Sequence, residues 1–107
     1  MKTSIKDPRL DFLFNAILTL QDIDECYEFF EDLCTVSELQ EMSRRLVAAR
    51  MLMNNHIYSE IAEKTGLSTA TISRVNRCLK YGSDGYNKAL DSLEASRHPG
   101  VTDRRRS

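Results

Sequence analysis

Apolar residues recur three and four positions apart along most of the chain, and no segment alternates as a half-buried strand would. Asp7-Pro8 predicts a helix start, because Asp can cap and Pro is preorganised for the first helical turn. Leu10, Leu13, Phe14, Ile17 and Leu18 then form one stripe. A second helix begins at Asp22, with Glu25 three residues on in a capping-box arrangement and Cys26, Phe29, Phe30 and Leu33 as its buried face. A third opens with Thr35 and Glu38, carries Leu39, Met42, Leu46, Ala49 and Met53, and ends near Asn54-Asn55. Two short helices follow between Tyr58 and Tyr81, where Gly82 is expected to close the second in a left-handed conformation. Tyr86, Ala89, Leu90 and Leu93 predict a sixth helix over 83–95. The fold class is therefore all-α, with a single domain over 1–95 and a polar tail, 96–107, read as disordered.

Within that domain, residues 5–56 supply the first three helices. Phe14, Ile17, Phe29 and Phe30 are more large apolar surface than a small monomer core absorbs, which predicts a homodimer joined through these helices.

The segment from Tyr58 to Arg77, Y-S-E-I-A-E-K-T-G-L-S-T-A-T-I-S-R-V-N-R, has the register of a helix-turn-helix that extends to Lys80. Ala62 is small where the first helix must face the second. Gly66 falls in the turn, where a left-handed conformation costs a β-branched residue roughly 1–3 kcal/mol. Ile61, Leu67, Ile72 and Val75 are the inward positions, and Ser68 can cap the second helix. Its outward side offers Thr69, Ala70, Thr71, Ser73, Arg74, Arg77 and Lys80. Small hydroxyl and methyl groups admit a helix to the major groove, its N-terminus favours phosphate, and Arg can fork onto guanine. These residues, with Ser68, are the expected DNA-binding set.

Charge sharpens this reading. The chain totals −1, yet residues 1–42 hold ten acids against three basic residues (−7), and residues 43–107 hold twelve basic residues against six acids (+6). No acid lies between Ser68 and Lys80, and a merely solvated helix would not need that exclusion. The complementary block from Asp22 to Glu41, with eight acids and no Lys or Arg, supports an alternative function: an interaction module whose acidic helices bind a basic protein surface.

Other chemistry is thinly represented. Cys26, Cys34 and Cys78 are far apart and lack the clustering a zinc site needs, so they are expected to be small core residues, with no metal bound. His56 and His98 have no neighbouring nucleophile or carboxylate at useful spacing and no phosphate-cradling glycine loop is present, so the chain is not expected to be an enzyme. No apolar run can span a bilayer and the start does not read as a signal peptide; the expected location is the cytoplasm, without membrane contact.

Residues 34–94 resemble the Trp repressor family, and residues 5–95 as a whole resemble its YerC/YecD relatives. The carrying residues are L-C-T-V-S-E-L-Q-E-M-S-R-R-L and S-E-I-A-E-K-T-G-L-S-T-A-T-I-S-R-V-N-R-C-L-K. The resemblance implies a six-helix Trp repressor-like fold, an intertwined homodimer and a DNA-binding transcriptional regulator, most simply a repressor. It also implies an effector pocket at Thr35, Arg45, Arg74 and Cys78. Tryptophan does not suit that pocket. The family's pocket glycine corresponds to Val75, whose branched side chain fills the space for an indole, and Cys78 replaces a serine, a better hydrogen-bonding group. No cofactor is expected, and any small-molecule effector is unidentified.

Overall fold

A computed structural model describes residues 6–97, which form six helices: α1 (Pro8–Ile17), α2 (Ile23–Leu33), α3 (Val36–Met53), α4 (Tyr58–Thr65), α5 (Thr69–Tyr81) and α6 (Gly85–Arg97). No strand occurs among the described residues. The expected tail begins inside α6, which runs two residues past the expected end; its remainder, 98–107, lies outside the described residues.

The chain divides into two compact units. Residues 2–42 make up one, and the part from Ser43 onward makes up most of the other. In the first unit, local chemistry sets the helix starts. The Asp7 carboxylate accepts from the Leu10 N–H at 2.9 Å with Pro8 in the first turn, and the Asp22 carboxylate accepts from the Glu25 N–H at 2.9 Å. Glu25 reaches back to the Gln21 N–H at 2.8 Å, one residue before the cap itself. Thr35 and Glu38 exchange both bonds of a capping box, at 2.9 and 3.0 Å. Packing is sparse by comparison. Neither α1 nor α2 has a buried residue; Phe29 and Phe30 meet edge to face, while Phe12 and Leu18 are each about four-fifths exposed.

The second unit holds the core. Ala48, Ile61, Leu67 and Ile72 are buried together, with Met51, Leu52, Tyr58 and Ala62 packed around them. Beside them Ala49, Val75 and Leu90 join α3, α5 and α6, with Leu79 and Tyr86 alongside. The two alanines let α4, α5 and α6 approach α3 closely, and the branched side chains fill the space between.

Four expectations needed correction. The α2 face of Cys26, Phe29, Phe30 and Leu33 holds no buried residue, because this chain lays no core against it. Cys26 and Cys78 are exposed and Cys34 is half-buried, so the cysteines are not core residues. Gly82 is not left-handed: it sits at φ −86°, ψ −151°. A Cβ there would lie 2.6 Å from the Cys78 carbonyl oxygen, so glycine answers a close backbone approach rather than a turn geometry. The left-handed residue in that connection is Asp84, at φ 72°, and α6 accordingly begins at Gly85 rather than Ser83. Asn87 fixes the junction, donating to the Asp84 carboxylate at 2.8 Å and to the Leu79 carbonyl at 3.1 Å.

Candidate nucleic-acid interface

The α4–turn–α5 unit occupies the segment that the sequence marked for DNA binding. α4 starts without a capping side chain, since Ile57 offers none. Glu60 accepts from the Ile57 N–H at 3.1 Å and lies 3.2 Å from His56 Nδ1. This corrects the expectation that His56 has no carboxylate at useful spacing, although that carboxylate is already committed to capping the helix. α4 ends at Gly66, in the left-handed region at φ 78°, with its N–H donating to the Ala62 carbonyl at 2.8 Å. This is the turn conformation expected of Gly66.

Ser68 then caps α5. Its Oγ accepts from the Thr71 N–H at 3.1 Å and donates to Thr71 Oγ1 at 3.1 Å. The cap sets the phase of the helix. Ile72 and Val75 point into the core, and Ala70, Ser73, Arg74 and Arg77 fall on one exposed stripe at three- and four-residue spacing. Thr69 and Lys80 are exposed beside it, and Thr71 is half-buried against Ser68. All eight candidate contact residues lie on or at the start of one helix. Among them are three cations and no acid.

The implied effector residues belong to two parts of the chain, α5 and the start and middle of α3. Arg74 and Cys78 lie four residues apart on the exposed side of α5, and Arg45 is half-buried on α3. Thr35 belongs to the other compact unit, and its hydroxyl accepts from the Glu38 N–H. A cleft of about 720 Å³ does open in the core unit, but between Val47, Arg50 and Met51 on α3 and Glu60, Glu63 and Lys64 on α4; none of the four candidates lines it. Sequence reasoning missed Thr65, a buried hydroxyl at the last position of α4. Its signal was weak, a β-branched polar residue in a charged run just before the turn glycine.

The family model described as "Trp repressor protein" matches residues 8–94. The chain belongs to the Trp repressor family. Its members are DNA-binding regulators, not enzymes. The chain is 53% identical over 90 residues to the protein YerC of Bacillus subtilis (strain 168), an alignment covering 84% of this chain and 86% of YerC. Among solved structures it matches a TrpR-like protein from Eubacterium eligens, with TM-score 0.80, 53% identity and coverage of 83% of this chain and 92% of that one. It also matches a Trp repressor candidate from Staphylococcus aureus, with TM-score 0.79, 49% identity, and 83% and 89% of the two chains covered. The all-α Trp repressor-like fold thus holds across most of the chain. Among the described residues, no helix is long and apolar enough to cross a membrane and no group of three or more His, Cys, Asp or Glu is placed to hold a metal ion.

Proposed function

We propose that this chain is a sequence-specific DNA-binding transcriptional repressor that acts as a homodimer, with α4 and α5 as its helix-turn-helix. The observation carrying this reading is the outward face of α5, an acid-free stripe with Arg74 and Arg77 exposed on a helix whose opposite side is locked into the core. A helix held from behind and bare in front can enter a major groove without rearranging. Ser68, Thr69 and Thr71 sit at its N-terminus, where backbone N–H groups and the helix dipole favour phosphate. Arg74, Arg77 and Lys80 extend the positive surface along the groove.

Uncovered apolar surface on the first unit supports the homodimer. Phe14 and Leu33 are about half exposed and Val36 more so, in addition to Phe12 and Leu18, and a second copy would remove this area from water. DNA binding in this reading is independent of tryptophan. Val75 is only 2% exposed and packs with Ala49 and Leu90, so its bulk belongs to the core at the position where the family's pocket has a glycine.

The test is Arg77→Ala against a bound DNA fragment in a salt series. If Arg77 meets phosphate, the variant binds more weakly across all sequences and its log–log salt slope falls by about one. If it meets a base, the variant loses about 1–3 kcal/mol of preference at one position. Unchanged affinity and preference would remove Arg77 from the interface.

A further inference from the structure

Thr65 is the one buried polar side chain among the described residues, 8% exposed at the last position of α4. Its hydroxyl makes two bonds. Oγ1 donates to the Ile61 carbonyl at 2.8 Å, one turn back in the helix, and accepts from the Leu67 N–H at 3.1 Å, beyond the turn glycine. Among the described residues no backbone carbonyl takes that Leu67 N–H, and Leu67 is itself only 7% exposed, so without Thr65 a buried donor would be left unmet.

From this geometry we infer that Thr65 is a positioning residue for DNA recognition: its hydroxyl braces the turn and so sets the direction in which α5 leaves α4. The inference rests on the DNA-binding reading of α5. Only Gly66 and Leu67 separate α4 from the capping residue Ser68, so the direction of α5 is decided within two residues. Gly66 by itself is permissive; nothing lies within 4 Å of where its Cβ would be, and glycine tolerates a wide range of dihedral angles. The restraint must come from its neighbours. The Leu67 side chain is anchored in the core, and its N–H is anchored to α4 through Thr65.

A small error at this turn is amplified along the helix. α5 has 13 residues, so it is about 20 Å long, and a tilt of about 10° moves its far end by about 3 Å. That exceeds the tolerance of a base-edge hydrogen bond, whereas a Lys or Arg reaching a phosphate can follow it. Loss of the brace should therefore reduce sequence discrimination more than affinity for DNA in general.

The experiment compares the full chain with Thr65→Val, which keeps the shape and removes both bonds, and Thr65→Ser, which keeps the hydroxyl. Each is titrated with its selected DNA site and with a scrambled duplex at fixed salt, and melting is followed by circular dichroism. Thr65→Val is expected to bind the selected site about tenfold more weakly, within the range for losing one well-aligned base-edge contact as α5 tilts. Its affinity for the scrambled duplex should stay within about twofold, since phosphate contacts dominate there. Thr65→Ser is expected to restore the wild-type ratio. An equal loss on both duplexes would mark Thr65 as structural only and overturn the inference. A wild-type ratio in Thr65→Val would overturn it while leaving the DNA-binding reading intact; wild-type chain without sequence preference would overturn that reading first, and this inference with it. If Thr65→Val does not fold, amide exchange in the wild type decides. A Leu67 N–H protected to the same degree as the α5 core amides supports the brace, and exchange as fast as an exposed loop amide overturns it.

Discussion

Replacing Ile72 with alanine is expected to destabilise the chain by about 2–5 kcal/mol, the usual range for truncating a buried isoleucine. Ile72 is fully buried, and it joins Ala48 on α3 to Ile61 on α4 and Leu67 in the turn. The loss would combine the transfer energy of the removed carbons with a cavity that two alanines and a short helix have little means of filling. Against a domain stability of about 5–15 kcal/mol this is a large fraction. The melting temperature should fall by roughly 8–40 °C, at about 4–8 °C per kcal/mol for a domain near this size. Thermal unfolding followed by circular dichroism checks it, and a shift of only a few degrees would show that α5 is not anchored through Ile72. DNA affinity should fall only as far as the folded fraction falls.

Ala70→Glu, two residues earlier, is expected to do the reverse. Ala70 is exposed in the first turn of α5, so the substitution disturbs no packing. An acid in a first helical turn interacts favourably with the dipole, by about 0.3–1 kcal/mol, so melting should be unchanged or slightly raised. Facing DNA, the same carboxylate would lie among phosphates, and like-charge juxtaposition at an interface costs several kcal/mol. Binding should weaken by about 100-fold or more, at 1.4 kcal/mol per factor of ten. Fluorescence anisotropy with a labelled duplex measures it. Retained affinity in a fully folded Ala70→Glu protein would show that this turn of α5 does not face DNA. Together the two variants separate the inner side of one helix from its outer side.

Much of this was legible in the sequence because the determinants are local. Asp7-Pro8, Asp22 and Thr35–Glu38 start their helices through side chains within three residues of the backbone they cap. Gly66 could be read because a left-handed turn leaves a compositional mark. The stripe from Ala70 to Arg77 followed from helical periodicity once Ile72 and Val75 were assigned inward. What was not legible depends on approach in three dimensions. Gly82 carries the same letter as a left-handed helix stop, yet its reason is the carbonyl of Cys78 beneath it. Cys78 was assigned to the core on general behaviour, which carries no information about its side of α5, and Cys26 by a periodicity that marks the apolar side of α2 but not whether anything covers it. Thr65 sits in a charged run and reads as solvated; only the path of the turn buries it. The implied effector set came from resemblance alone, since no local pattern of the chain marks those four residues as a group.

The central claim is that an acid-free α5 reads DNA as part of a symmetric pair. Selection of bound duplexes from a random-sequence pool by the purified full chain, without added tryptophan, tests it most directly. The expected result is enrichment of a palindrome whose half-sites lie about one helical turn apart, roughly 34–36 Å centre to centre. A pool that remains random after repeated rounds at low salt would contradict it.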